Sequence, residues 1–219
     1  MNAPLLLVAA GGLAREALEA VRSAGTHDVI GFLDDDEARH GMRFSGVTVL
    51  GGMDLVEQHP DAQIVVCAGK GSARASIVTR LGSLRVHAER FATVMHPSVH
   101  VPGSCVIGHG TVLLAGTALT AEVTVGRHVV VMPNAVLTHG DIVEDYATIC
   151  AGVVLGGGVV VAERAYLGMA AAVRERLLIG ADATVGMGSV VLTDVPAGET
   201  WAVVPARQLP PPGFRRKLP

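Results

Sequence analysis

The chain has 219 residues, 50% of them hydrophobic, and a formal net charge of -3, so it can bury a core in one large or two small domains. Lys and Arg cluster only at Arg215, Arg216 and Lys217, which excludes the basic surface expected of a nucleic-acid-binding protein. No apolar stretch reaches the roughly 18 residues of a membrane helix, and the N-terminus lacks the basic region of a secretory signal, so we expect a cytoplasmic protein.

The first part of the chain, residues 1–93, alternates apolar runs with helical patterns. "PLLLVAA" predicts a buried strand, and after Gly11 and Gly12 a helical pattern follows that ends at Gly25. "DVIGFLDDD" predicts a second strand, "AQIVVCAGKGS" a later one, and "ARASIVTRLGSL" a helix. This order predicts a small parallel sheet covered by helices, which is an α/β, Rossmann-like domain.

The second part, residues 94–209, contains a six-residue repeat, and residues 210–219 form a tail. Every first position of the repeat, from Val101 to Val191, is Val, Ile or Leu, and fifth positions are mostly small. Neither a helix nor a single strand keeps such a column on one face, so the repeat predicts short strands that wind as a solenoid. Three hexads make one triangular coil, residues 18 apart stack at about 4.8 Å, and the flat faces favour a homotrimer.

The chain has three cysteines, an odd number, and they lie far apart in the sequence: Cys67, Cys105 and Cys150. This pattern favours reduced thiols over a disulfide framework or a zinc site, so we expect no metal.

With "AAGGLAREALEAV", "GFLDDD", "VMHPSV" and "VVPARQL" added to the hexads, the chain resembles the hexapeptide-repeat acyltransferases that carry a nucleotide-binding N-terminal domain. This resemblance implies a left-handed parallel β-helix after the Rossmann-like domain. It also implies transfer of an acetyl group from acetyl-CoA to the 4-amino group of a nucleotide-linked amino sugar, in a groove between neighbouring subunits.

In this resemblance His139, in "NAVLTHGDIVEDY", is the general base, because a third-position residue lies at a corner of the coil and a neutral imidazole can accept a proton at cellular pH. The family places an acid directly after this histidine, where this chain has Gly140. Glu122 lies one coil before Gly140, and we expect it to replace that acid. Asp141 is nearer, but its fifth position predicts an interior carboxylate that needs a partner.

The coenzyme contacts implied by the resemblance are Thr148, which stands where the family often has a second histidine, and the glycines Gly157, Gly168 and Gly186. The alternative for the glycines is simple corner geometry. Val203 stands where the family has glycine, which could alter the coenzyme path.

The nucleotide-sugar contacts expected from the resemblance lie mainly at the ends of predicted strands. A Gly pair before a helix leaves backbone N–H groups for a phosphate, and acids after the second strand suit a ribose or base. These residues are Gly11, Gly12, Asp34, Asp35, Gly69, Lys70 and Asn134. Two positions depart from the family: Ala9 replaces the first glycine, and Leu13 replaces a histidine.

Three alternatives stay open. The first is O-acetylation of sialic acid or another sugar. The second is a γ-type carbonic anhydrase, although His96 and His100 form the only nearby histidine pair and precede the regular coils. The third is a sugar-binding homologue that has lost catalysis, which the departures at Leu13, Gly140, Thr148 and Val203 would explain.

Overall fold

A computed structural model describes residues 2–209, and it begins with a small α/β domain. The helices and strands of this domain are β1 (Ala3–Val8), α1 (Gly12–Ala24), β2 (His27–Leu33), β3 (Arg43–Phe44), β4 (Val47–Gly51), β5 (Gln63–Val66) and α2 (Gly71–Ser83). Short 3-10 helices span Glu37–Arg39, Met53–Gln58 and Ala88–Arg90. The strand order is β3-β4-β2-β1-β5.

The loops after β1 and β5 lie side by side because of the strand order. β1 pairs in parallel with β2 on one side and with β5 on the other, so the loops after β1 and β5 flank the point where the chain changes direction across the sheet. Open α/β sheets bind ligands at such a point. The helix α1 ends as predicted, with Gly25 in the left-handed conformation at φ +63°.

The rest of the chain is a column of two- and three-residue strands. These are β6 (Val94–Met95), β7 (Val106–Ile107), β8 (Val112–Leu113), β9 (Ala118–Leu119), β10 (Thr124–Val125), β11 (Val130–Val131), β12 (Val136–Leu137), β13 (Ile142–Val143), β14 (Thr148–Ile149), β15 (Val154–Leu155), β16 (Val160–Val161), β17 (Tyr166–Leu167), β18 (Ala172–Val173), β19 (Leu178–Ile179), β20 (Thr184–Val185), β21 (Val190–Val191), β22 (Thr200–Ala202) and β23 (Arg207–Gln208).

These strands stack into three sheets that form a triangular prism. Sheet I contains β7, β10, β13, β16 and β19, and sheet III contains β9, β12, β15, β18 and β21. Sheet II contains β6, β8, β11, β14, β17, β20, β22 and β23. The chain runs from sheet I to II to III and back, so three corners are formed, and the III–I corner lies opposite sheet II. This confirms the α/β domain followed by a left-handed parallel β-helix.

Each hexad position has a constant structural role. The first positions are buried from Leu113 onward and the fifth positions from Thr111 onward, which gives the column an aliphatic interior. Every fourth position from Gly110 to Gly188 has a positive φ, including non-glycine residues such as Glu122 and Asp182. The left-handed residue makes the corner sharp, a role of the fourth position that the six-residue pattern did not predict.

The α/β domain packs against the outer face of sheet II. Leu13 and Ala17 of α1 share one apolar core with Val112 and Val130 of sheet II. Burial of such side chains contributes about 1.5–3 kcal/mol each, so this contact joins the two parts firmly. No helix within residues 2–209 is long and apolar enough to cross a membrane. The predicted tail at 210–219, with its basic residues, lies outside the described residues.

Candidate active site

His139 lies in the turn at the III–I corner, and its side chain is exposed. The imidazole lies directly over Gly157, which is one coil further along: a Cβ added at Gly157 would clash with the Cε1 and Nε2 atoms of the ring. Glycine at 157 therefore provides the space in which the ring lies. The two residues were assigned to the base and to the coenzyme, and the structure brings them together.

The residue after His139 is a glycine with free space beside its Cα. Gly140 has φ +71°, and a Cβ added there would come no closer than 4.0 Å to Gly158. Glu122 lies on the same corner one coil earlier, is exposed, and its N–H donates to Ser104 Oγ at 3.1 Å. Within residues 2–209 its carboxylate makes no hydrogen bond to His139, so the orienting role of Glu122 stays a prediction.

Asp141 points into the prism, as its fifth position predicts, and is fully buried. Its Oδ2 accepts from Thr138 N at 2.7 Å and its Oδ1 accepts from Val159 N at 2.9 Å. Burial raises the pKa of this carboxyl to about 6, and the two N–H groups and the charge of His139 act in the opposite direction. The carboxylate therefore lies in the interior beside the corner that carries His139.

Among Gly157, Gly168 and Gly186, only Gly157 has a backbone N–H without a backbone acceptor in residues 2–209. The N–H of Gly168 donates to Val185 O at 2.7 Å, and the N–H of Gly186 donates to Trp201 O at 2.7 Å. A Cβ at Gly168 would meet Met187 N at 2.6 Å, so close stacking of coils explains this glycine. The coenzyme role of Gly168 and Gly186 stays a prediction that the geometry does not favour.

Val203 has φ +76°, a left-handed conformation that strains a β-branched side chain and explains why the family uses glycine there.

Thr148 differs from the coenzyme role that the resemblance implies. The residue is buried on sheet II beneath the α/β domain, and its hydroxyl donates to Gly69 O at 3.0 Å and accepts from Arg74 Nη2 at 2.9 Å. A hydroxyl with these partners has no surface that a coenzyme could reach. The structure thus joins Thr148 to Gly69, a residue assigned to the nucleotide.

Arg74 of α2 connects the two parts of the chain and is fully buried. Beyond Thr148, its guanidinium donates to backbone carbonyls on both sides: Ala68 and Gly69 in the loop after β5, and His128, Tyr146 and Ala147 on the β-helix, at 2.7–3.0 Å. Burial lowers the pKa of Arg74 to about 10. The residue fixes the loop that carries Gly69 and Lys70 to the β-helix.

Gly71, at the start of α2, allows the close approach that Arg74 needs. A Cβ at this position would clash with the carbonyl oxygen of Tyr146 and lie 3.1 Å from Arg164 Cα. Neither Gly71 nor Arg74 was identified from the sequence, because one glycine or arginine in a helix carries no signal of a contact formed about 70 residues away.

The residues assigned to the nucleotide lie at the carboxyl edge of the α/β sheet. Gly11 caps α1 and Lys70 caps α2, neither cap has a side-chain hydrogen bond, and neither helix has an acid in its first turn. Within the described part of the chain, both N-termini therefore offer N–H groups without a side-chain cap beside the same crevice. Ala9, which replaces the first glycine, has φ +73°, the conformation that glycine adopts without strain.

The two acids after β2 hold the loops around them. Asp34 Oδ2 accepts from Ala10 N at 2.8 Å and pairs with Arg39. Asp35 accepts from Met53 N at 3.0 Å and pairs with Arg80 of α2. Leu13, where the family has histidine, is a core residue of α1.

Asn134 lies apart from these residues, at the II–III corner, where its side-chain Oδ1 covers Gly116.

Two cavities adjoin the crevice. One of about 150 Å³ lies between β1 and β2 and is lined by Val8, Ala9, Leu33, Asp34, Asp35, Met53 and Ile77. A cleft of about 610 Å³ lies between the start of α2 and sheet II, lined by Gly69, Lys70, Gly71, Ser72, Met132, Arg164, Tyr166, Asp182 and Thr184. A cleft of this size accommodates a ligand as large as a sugar with its phosphates.

In residues 2–209, no three His, Cys, Asp or Glu side chains lie close enough together to hold a metal ion. The γ-carbonic anhydrase alternative, which needs three histidines on zinc, gains no support from this arrangement.

Solved structures of other proteins share this architecture. The model of the PglD N-terminal domain matches residues 4–81. The chain is similar to the acetyltransferase domain of PglB from Neisseria gonorrhoeae FA1090, with 26% identity, 95% of this chain and 100% of that chain covered, and a TM-score of 0.86. That domain was also solved in complex with acetyl coenzyme A. No curated protein sequence matches the chain.

The chain is also similar to PerB from Caulobacter crescentus, solved in complex with CoA and GDP-perosamine, with 28% identity, 94% and 97% coverage, and a TM-score of 0.84. WeeI from Acinetobacter baumannii AYE, at 23% identity and a TM-score of 0.67 over 94% and 99% of the two chains, shares the fold. The chain therefore shares its two-part fold with these acetyltransferases, and its N-terminal part is similar to the PglD N-terminal domain.

Proposed function

We propose that the protein transfers the acetyl group of acetyl-CoA to the 4-amino group of a nucleotide-linked amino sugar. Two proteins similar to it over almost their whole length support this proposal. One is bound to acetyl coenzyme A, and the other to CoA together with GDP-perosamine. The observation that carries the proposal here is the exposed imidazole of His139 over Gly157, on a β-helix whose N-terminal domain has an open crevice.

In this reaction His139 acts as the general base. The amine attacks the thioester carbonyl, the C–N bond forms, and His139 takes the proton of the amine. The C–S bond then breaks, and the imidazolium gives that proton to the departing sulfur, so that CoA leaves as a thiol. Two of the Caulobacter structures are variants in which one histidine is replaced by asparagine or alanine. These variants support the choice of a histidine as the candidate base in this fold. Glu122 is the candidate for orienting the ring.

No acyl-cysteine intermediate is needed. Burial raises the pKa of Cys67 to about 12 and also raises the pKa of the Cys150 thiol, so neither forms a thiolate readily. Cys105 is half-buried and lies two coils before the hexad of His139. Three free thiols also fit a cytoplasmic location.

The crevice of the α/β domain is the proposed nucleotide site. The base and ribose would contact Asp34 and Asp35 beside the smaller cavity, and the diphosphate would lie against the free N–H groups at Gly11, Gly12 and Lys70. The sugar would then extend into the cleft along Gly69 and sheet II. This path uses the residues that the resemblance assigned to the nucleotide, apart from Asn134.

A complete site needs a second copy of the chain. The crevice lies on the side of sheet II, whereas His139 lies at the opposite corner, so the sugar bound by one chain faces away from its own His139. Sheet I has an exposed apolar column, with Val106, Ile142 and Leu178 at 60%, 43% and 45% exposure. Such a column favours association, and a homotrimer would bring His139 of one chain to the crevice of the next.

The coenzyme would lie along the corner that carries His139. The N–H of Gly157 has no backbone acceptor in residues 2–209 and would be available to the thioester. Two exposed arginines, Arg174 and Arg176, follow one coil later without an ion pair in the described part of the chain. Arginine is suited to the phosphates of CoA. These arginines were not singled out from the sequence, although "VRERLL" is the most charged hexad of the repeat.

The test is free-thiol release from acetyl-CoA with UDP-, dTDP- and GDP-linked 4-amino sugars and with sialic acid. We expect one amino sugar to drive release and His139→Ala to reduce it by roughly a hundredfold or more. His109→Ala is the matched control, because His109 also has the third position of its hexad and precedes a glycine, and its activity should stay near wild type.

Other outcomes of the same assay exclude parts of the proposal. Release only with sialic acid would make the protein an O-acetyltransferase, and no release with any acceptor would favour a sugar-binding homologue. Glu122→Gln belongs in the same assay: an unchanged rate would exclude this carboxylate as the orienting acid.

A further inference from the structure

The hydrogen-bond ladder between coils is interrupted directly before His139. In the hexads that start at Ile107 to Val185, the N–H of the second-position residue donates to a carbonyl of the coil stacked above it, for example Gly108 N to Val125 O at 2.8 Å. Thr138 is the exception in this series. Its neighbouring strands β12 and β15 keep only the pair Val136–Val154, whereas the other stacked strand pairs between β7 and β21 keep two.

Asp141 causes this interruption. Its buried Oδ2 accepts the N–H of Thr138 at 2.7 Å, and its Oδ1 accepts the N–H of Val159 in the next coil at 2.9 Å. The Thr138 hydroxyl then donates to Leu155 O at 3.0 Å, the carbonyl that the ladder would otherwise supply with an N–H. With this change of partners, these backbone groups keep their hydrogen bonds. The change alters the hydrogen bonding of Thr138, the residue that precedes His139.

The hexad of His109 shows that a polar residue at the fifth position does not by itself interrupt the ladder. Thr111 has the same fifth position, and its hydroxyl accepts from Val129 N at 3.0 Å and donates to Gly126 O at 2.8 Å. Gly108 keeps its ladder bond beside it. A neutral hydroxyl therefore bridges two coils without disturbing the ladder, whereas the second acceptor oxygen of Asp141 captures a further N–H.

We propose that Asp141 is a positioning residue for His139: its carboxylate sets the backbone of the corner so that the imidazole lies over Gly157, and its negative charge favours the imidazolium that forms in the reaction. The inference rests on the proposed role of His139 as the base. Asp141 acts on the backbone from inside the prism, which is a different role from the direct orientation of the ring proposed for Glu122 on the corner.

The charge of Asp141 depends on pH in the range where the enzyme would work. Burial raises the pKa of this carboxyl to about 6, while the N–H groups of Val159, Thr138 and Gly158 and the charge of His139 lower it. Above about pH 6 the carboxylate is ionised, and a nearby negative charge favours protonated imidazole. Below that pH the interaction is lost.

Asp141→Thr tests the proposal, because threonine already has the equivalent position at Thr111 and should restore a regular ladder. We expect kcat to fall about ten- to a hundredfold, with much smaller changes in KM for acetyl-CoA and for the sugar nucleotide. In the wild type, the acid limb of the kcat/KM profile should fall more steeply than the protonation of a single group predicts. In the variant, the acid limb should have the slope of a single protonation. Asp141→Asn removes the charge and leaves one acceptor oxygen for the N–H groups of Thr138 and Val159, and its acid limb should also be that of one titrating group.

Thr111→Val is the matched control, since it removes the equivalent bond to Val129 N at another corner. It should lower Tm and leave kcat and the acid limb unchanged. Asp141→Thr with a kcat within about twofold of the wild type and an unchanged limb overturns the proposal.

A readout that needs no turnover separates this inference from the proposed function. Carboxyl carbon NMR of Asp141 should show a midpoint near pH 6 in the wild type and a higher midpoint in His139→Ala, because the positive ring no longer favours the ionised acid. If the wild type releases no thiol with any acceptor, the proposed function fails, whereas identical midpoints in the two proteins refute the coupling of Asp141 to His139.

Discussion

Two hexads of the β-helix, residues 107–112 and 137–142, differ in what surrounds a shared motif. Each has histidine at the third position and glycine at the fourth, as His109-Gly110 and His139-Gly140. Both glycines have positive φ, +72° and +71°, so the local backbone of the two turns is the same. Their histidines nevertheless lie in different environments.

His109 lies at the I–II corner, close to the α/β domain. Its ring stacks on Phe91 with centroids 6.4 Å apart, and the edge of His128 lies 5.6 Å away. His139 lies at the III–I corner, exposed, over a glycine. In this fold the hexad position of a residue determines the position of its Cα on the coil. The corner on which the residue lies determines whether a substrate can reach its side chain.

Arg74→Met should have the largest effect, because it releases the domain that covers the corner of His109. The change leaves carbonyls on both sides of the contact without a donor, which we expect to cost about 3 kcal/mol or more of unfolding free energy. Thermal unfolding and limited proteolysis would measure it, together with binding of a nucleoside diphosphate.

Arg22→Met is the control for Arg74→Met, since Arg22 is an exposed arginine of α1 that pairs with Glu19. It should change the unfolding free energy by less than about 1 kcal/mol. Equal stability of the two variants would show that Arg74 does not hold the domains together.

Gly157→Ala should have the next largest effect, because it removes the feature that distinguishes the surroundings of His139. The added methyl would clash with the ring, so the imidazole must move, and a displacement of about 1 Å can reduce turnover roughly a hundredfold. Thiol release measures the loss. Gly103→Ala is the matched control, since Gly103 also has a third position but an added Cβ meets nothing within 4 Å.

A smaller effect should appear in the pH dependence of the unfolding free energy. The contributions of His128 at the I–II corner and of Asp141 beside the III–I corner should have opposite signs. Burial first, and then the nearby His109, lower the pKa of His128 from 6.5 to about 4. Between those values the unfolded chain binds more protons at this site, so stability falls as the pH falls from 6.5 to 4. The pKa of Asp141 is raised from 3.8 to about 6, so its contribution falls as the pH rises through that window.

Asp141→Thr removes one of these opposing contributions. Acidification from pH 6 to pH 4 should therefore destabilise the variant more steeply than the wild type, by up to about 1.4 kcal/mol per pH unit. Urea unfolding across this range measures the slopes. Parallel slopes in the two proteins would contradict the raised pKa of Asp141.

Much of the fold was predictable from the sequence because hexad positions have one period and one role. The aliphatic first positions, the interior fifth positions, the end of α1 at Gly25 and the corner location of His139 all follow from that period and from local turn chemistry. The short strands β3 and β4 were not predicted, since a hairpin of this length has little pattern of its own.

The site was predictable only in part. The crevice residues lie together because the ends of parallel strands share one edge, which the strand order already implies. Thr148 was assigned to the coenzyme from its place in the repeat, yet an arginine about 70 residues earlier in the chain binds it. Contacts between distant segments leave no trace in a local pattern.

The sequence by itself determined the prism, its corners and the identity of the residue at each corner, because these depend on side-chain size and on a regular period. Only the tertiary structure decided which corner the α/β domain covers, which histidine stays exposed, and where the N–H of Thr138 donates. Those outcomes depend on packing between the two domains and on a buried carboxylate competing with a ladder bond, and neither is a property of any single hexad.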